Sequence, residues 1–206
     1  MTANVAAGNP VAADVATPSA TRNASTAVVS NVDEHPVSKM YFEVGKFKDE
    51  FLAHDLSERV SHLGYKASVT RKGHLWANSF HVLVGPYGTE DDAATTEKNL
   101  VSGGFKPLPF ERGSRGFNFG SSMSLAGGKV PAGECSISWE SYVTDARVKF
   151  SQGGSLLAGA TARWEKRPAR FRQNEYVYIR RGDGSRLLLE VHFSGLDRAL
   201  VFRDPS

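Results

Sequence analysis

At 206 residues, with 40% hydrophobic and 10% aromatic content, the chain is long enough for one or two modest cores, and the shift in its composition favours two. A net charge of +3 and a pI near 9.0 make it mildly cationic, which suits polyanions weakly and does not demand nucleic acid. The single Cys135 excludes an internal disulfide, and no apolar run approaches the roughly 20 residues that span a bilayer as a helix.

Residues 1–38 are rich in Ala, Thr, Ser, Asn, Val and Pro and show no sustained hydrophobic period. Too little apolar surface is available there to offset the entropy of ordering, so the segment reads as a flexible tether. Met1 is not followed by the basic and apolar regions of an export signal.

The next block, 39–111, repeats itself. Tyr41-Phe42-Glu43-Val44-Gly45-Lys46-Phe47 returns as Phe80-His81-Val82-Leu83-Val84-Gly85-Pro86-Tyr87, with Gly45 and Gly85 40 positions apart. The same shift matches Glu50 to Glu90, Ala53 to Ala93, Gly64 to Gly104 and Tyr65 to Phe105, which marks an internal duplication. In each half an alternating strand precedes an amphipathic helix. Asp49 and Thr89 are the expected N-caps, and Leu52, Ala53, Leu56, Val60 and Leu63 form the first apolar stripe. A second strand closes each half, giving a β-α-β-β-α-β order. If the helices cover Phe42, Val44, Val82 and Val84, the opposite face carries Tyr41, Glu43, His81 and Leu83 and is expected to be open.

Residues 112–132, with Gly113, Gly116, Gly120 and Gly127-Gly128, read as a Gly/Ser-rich linker. From 133 to 206, short β-rich runs broken by Gly, Pro, Asn and Asp predict an all-β antiparallel sandwich or small barrel. Arg181-Gly182-Asp183-Gly184 reads as a hairpin turn between two of these runs. The predicted class is therefore α+β: a four-stranded sheet with two helices on one face, followed by a separate β-rich domain.

The aromatic-x-Val-Gly-x-Phe opening, the Leu63-Gly64-Tyr65 midpoint and the Val82-Leu83-Val84-Gly85-Pro86-Tyr87 second half resemble the sporulation-related repeat (SPOR) domain over about residues 40–110. The resemblance implies a non-catalytic module of the bacterial cell envelope that binds peptidoglycan glycan strands lacking stem peptides, at sites of wall remodelling or division. It also implies a periplasmic or envelope location and envelope or division proteins as further partners. Members commonly place Gln and Ser where this chain has Glu43 and Lys46, and some have Arg where His81 stands.

On such a face a sugar would meet aromatic rings and planar polar groups. Tyr41 and Trp76 are the candidate stacking residues, and Glu43, Lys46, Asn78 and His81 the candidate polar contacts. Two rival readings exist. The same element order serves RNA-recognition modules for single-stranded nucleic acid, but their aromatic signature string is absent and nucleic acid is disfavoured. The other is a structural envelope adaptor whose β-rich part binds a protein partner.

No Gly-x-Ser-x-Gly or His-Glu-x-x-His motif appears, and the six histidines show no metal spacing, so neither catalysis, cofactor nor metal is expected. The run from Arg163 to Arg172 is the densest basic and aromatic stretch, and its plain reading is a solvated connection interrupted by Pro168.

Overall fold

A computed structural model of the chain describes residues 24–29, 37–74 and 77–203. In chain order these form β1 (Ala24–Val29), β2 (Val37–Phe47), α1 (Glu50–His62), β3 (Ala67–His74), β4 (Ala77–Tyr87), α2 (Glu90–Ser102), β5 (Leu108–Phe119), β6 (Met123–Leu125) and β7 (Gly128–Val130). The remainder is β8 (Gly133–Tyr142), β9 (Asp145–Gln152), β10 (Ser155–Lys166), β11 (Asn174–Arg180), β12 (Arg186–His192) and β13 (Arg198–Phe202).

Local sequence chemistry sets the helices. Asp49 caps α1 by accepting from the Phe51 N–H at 2.8 Å, and the Thr89 hydroxyl caps α2 by accepting from the Asp92 N–H at 3.2 Å. Each helix buries a narrow stripe, Ala53 and Val60 in α1 and Ala93 and Leu100 in α2, against Phe42, Val82 and Val84. Gly45 is needed here for closeness: a Cβ at this position would lie 2.5 Å from Leu56 Cδ2. Leu52 and Leu63, which the periodicity assigned to the core, stay exposed.

The predicted α+β class is overturned. The described residues are mostly β, 59% strand against 16% helix, and their β-structure is one continuous sheet rather than an α+β domain followed by a separate sandwich. The strands run β3-β4-β2-β5-β8-β9-β10 without interruption. Strands β6, β7, β10, β13 and β12 then close on themselves as a five-stranded barrel.

The physical cause lies in β5. It does not stop at Phe110 but runs on to Phe119, pairing with β2 from Leu108 to Ser114 and with β8 from Phe110 to Phe119. Glu111, Gly113, Arg115, Phe117 and Phe119 are buried while Arg112, Ser114 and Gly116 are exposed, which is strand alternation hidden beneath a linker-like composition. Gly113 lacks a side chain because the Trp139 ring occupies the space: a Cβ there would lie 2.3 Å from Trp139 Cζ2. The segment expected to be a linker is thus β5, β6 and β7 for most of its length.

Part of the expected tether is also strand, since β1 pairs antiparallel with β11 from Ala24 opposite Ile179 to Val29 opposite Asn174. The rest of that segment, 1–23 and 30–36, lies outside the described residues.

The larger core fills the β-rich half. Phe193 stacks on Trp139 with ring centroids 5.0 Å apart, and Trp139 meets Trp164 edge-on at 5.7 Å. Trp164, from the basic and aromatic stretch, is therefore a core residue, with the Arg198 guanidinium 4.3 Å above its ring. The Arg181 turn joins β11 to β12, closed by the Arg181 N–H donating to Ser185 O at 2.8 Å.

Candidate functional site

The face of β4 opposite the helices carries Ser79, His81 and Leu83, because alternate residues of a strand share a side. Cross-strand register adds Lys72 and Thr70 from β3, opposite Ser79 and His81, and Glu43 from β2, opposite Leu83. On β5 and β8 the same face carries Phe110 opposite Tyr142 and Arg112 opposite Glu140.

This face is not open. Leu83 is 2% exposed and His81 5% exposed. The sheet coils so that long side chains from its far strands meet. Strands β3 and β8 are four steps apart, about 19 Å in a flat sheet at ~4.8 Å per step, yet Lys72 Nζ and Glu140 Oε2 are 2.9 Å apart. The expected platform is instead the floor of a cleft of about 910 Å³.

Within the cleft a chain of hydrogen bonds links four strands, β8, β2, β4 and β3. Glu43 Oε2 accepts from the Tyr142 hydroxyl at 2.6 Å and lies 2.6 Å from His81 Nδ1. His81 Nε2 is in turn 2.9 Å from Ser79 Oγ, which also lies 3.1 Å from the Lys72 backbone carbonyl. The Glu43 side chain is only 11% exposed. Burial, reinforced by the hydrogen bond to Glu43, pushes the Tyr142 phenol well above its ordinary range, so it stays protonated and donates.

A second group surrounds Glu140. Burial raises the pKa of its carboxyl, but hydrogen bonds and charge from Lys72 and Arg112 outweigh this and hold it below the usual carboxylate range. Lys72 Nζ also lies 4.5 Å from the Phe110 ring centroid, which fixes the ammonium over the aromatic floor. Lys46, Arg147 and Arg203 line the cleft as well, and among the described residues they form no ion pair.

Of the residues selected from the sequence, Glu43, Lys46 and His81 line this cleft together. Tyr41 does not line it but packs on Phe110 at 6.0 Å, extending the ring row Tyr41-Phe110-Tyr142. Asn78 alternates with Ser79 and shares the side of Phe80, away from the cleft, and is exposed. Trp76 lies outside the described residues. Sequence reasoning missed Ser79, Lys72, Glu140, Tyr142 and Arg147. The only local signal was Ser79-x-His81, two polar side chains on one face of an otherwise apolar strand.

Comparison with protein-family models, with curated proteins and with solved structures finds no match for this chain. The resemblance described above therefore rests on the quoted residues alone. Among the described residues no helix is long and apolar enough to cross a membrane.

Proposed function

We propose that the protein is a peptidoglycan-binding protein of the bacterial envelope that holds glycan strands lacking stem peptides in the cleft over β2, β4 and β8. The observation that carries this reading is the convergence of Glu43, Lys46 and His81 with Tyr142 and Arg147 on one cavity. A saccharide asks for planar polar groups at its hydroxyls and acetamido groups and for a ring edge beside its C–H faces. Glu43, Glu140 and His81 are of the first kind and Tyr142 is of the second. Removal of stem peptides leaves a carboxylate on each muramic residue, and Lys46, Arg147 and Arg203, which form no ion pair among the described residues, supply cations for it. A nucleic-acid reading draws less support, because base stacking asks for exposed rings and Phe110 is buried between Tyr41 and Tyr142.

Co-sedimentation with purified sacculi tests the proposal. Retention should rise when an amidase has stripped the stem peptides, and should fall at least about tenfold in a Lys46→Ala/Arg147→Ala variant, as expected for loss of two charge-assisted contacts. Equal, negligible retention on treated and untreated sacculi would sink it.

A further inference from the structure

The cleft contains an arrangement that binding alone does not use. Ser79 Oγ, His81 Nε2, His81 Nδ1 and Glu43 Oε2 form a continuous line with separations of 2.9 Å and 2.6 Å, and all three residues border the cavity. We propose that Ser79, His81 and Glu43 form a nucleophile, base and orienting carboxylate that hydrolyse a short-chain carboxylic ester bound in the cleft.

The roles follow from geometry. Glu43 is largely buried and accepts from Nδ1–H of His81, which leaves the Nε2 lone pair facing Ser79. The Ser79 hydroxyl has a single proton to share between His81 Nε2 and the Lys72 carbonyl. When it turns to Nε2, the oxygen becomes the nucleophile. Tyr142, donating to the same Glu43 oxygen, fixes that carboxylate as the third triad member and is itself a positioning residue. Lys72 Nζ, 3.5 Å from the Tyr142 hydroxyl and 2.9 Å from Glu140 Oε2, sits at the Tyr142 end of the chain.

In the first step Ser79 Oγ bonds to the ester carbonyl carbon, its proton passes to Nε2 and the carbonyl π pair becomes an oxyanion. Collapse breaks the carbon–alkoxy bond, and the Nε2 proton leaves with the alcohol. A water molecule, deprotonated by Nε2, then attacks the acyl-serine and releases the carboxylic acid, returning the proton to Ser79. The only co-reactant is water.

The substrate class is read from the lining. Among the described lining residues the aliphatic side chains are Leu108, Ala146 and Ala162, which suits an acetyl-sized acyl group rather than a long chain. The remaining walls are charged or hydroxylated and suit a polyhydroxylated, acidic alcohol half. Identifying that half with an O-acylated saccharide rests on the binding function proposed above; the nucleophile does not.

The whole chain, treated with a fluorophosphonate probe, should acquire one adduct that mass spectrometry maps to Ser79. It should also hydrolyse p-nitrophenyl acetate with a rate that rises as an imidazole loses its proton. Ser79→Ala and His81→Gln should each lower that rate by about 10²-fold or more, while Glu43→Gln should lower kcat and alter the pH profile. Near-UV circular dichroism of each variant establishes that the comparison is between folded proteins. Absence of the Ser79 adduct, or hydrolysis by folded Ser79→Ala equal to that of the parent, overturns the proposal. Sacculus retention of the parent protein is scored separately. Labelling of Ser79 without retention refutes the glycan reading alone, and retention without labelling refutes the esterase alone.

Discussion

Arg198 donates to Glu111 Oε1 at 2.6 Å across 87 positions of sequence, and this pair ties the barrel strand β13 to the strand β5 shared by both halves. The same oxygen accepts from Trp139 Nε1 at 3.2 Å and from the Ser38 hydroxyl. Glu111 is buried, so its charge depends on these donors for solvation.

Removing one partner of this pair should therefore cost more than the pair itself contributes. Arg198→Ala is expected to destabilise the fold by about 3–5 kcal/mol, the range for an uncompensated buried charge. Arg198→Ala/Glu111→Leu should recover part of that loss. Urea unfolding of the single and double variants gives the comparison, and equal stabilities for the two would show that Glu111 is not left stranded.

Glycines three positions apart on β5 should behave oppositely. Gly113→Ala drives a Cβ to 2.3 Å and 2.5 Å from two atoms of the buried Trp139 ring and is expected to cost about 1–3 kcal/mol. At Gly116 a Cβ meets nothing within 4 Å, so Gly116→Ala should be neutral or stabilise by up to ~1 kcal/mol through the unfolded chain. Thermal melts of the two variants would separate strand alternation from a flexible linker, in which both changes would be silent.

These glycines show why part of the fold could not be read from the sequence. Asp49 and Thr89 act on N–H groups two and three residues away, so their roles were legible locally. The turn between Arg181 and Ser185 was legible for the same reason. Gly113 has its meaning from Trp139, 26 positions later and on another strand, and composition alone made its neighbourhood look like a linker. The site divides in the same way. Alternation placed Glu43 and His81 on one face, but only the coiling of the sheet brings Tyr142, 99 positions from Glu43, into contact with that carboxylate. Leu52 and Leu63 fit a helical stripe, yet periodicity gives a stripe's direction and not the width that a small sheet can cover.

Acid should weaken the protein partly through Glu190. A hydrogen bond from the His192 ring, reinforced by Arg167, holds this carboxyl below its ordinary value in the fold. As pH falls, the unfolded chain protonates Glu190 first. The stabilisation is thus complete above the ordinary carboxylate pKa and is lost as pH drops through the folded value. Measured between about pH 6 and pH 3, unfolding free energy should decline less steeply for Glu190→Gln than for the parent. Parallel curves would assign the acid sensitivity to other carboxylates.

Cys135 should be chemically silent in the native protein. It is buried in the larger core, and burial raises its thiol to about 11, so almost no thiolate is present at neutral pH. Iodoacetamide should leave it unmodified until denaturant is added, when one equivalent should react. Rapid labelling of folded protein would contradict the packing.

The continuity of β5 has a consequence for how anything enters the cleft. Two lobes joined by a linker can open like a jaw and close over a ligand. Here one wall carries Ser79, His81 and Lys72 and the other Glu140 and Arg147, and both belong to a single hydrogen-bonded ladder with β5 inside it. Among the described residues, no unpaired linker separates the strands of the two walls. A ligand therefore meets a cleft whose two walls are already joined through backbone hydrogen bonds.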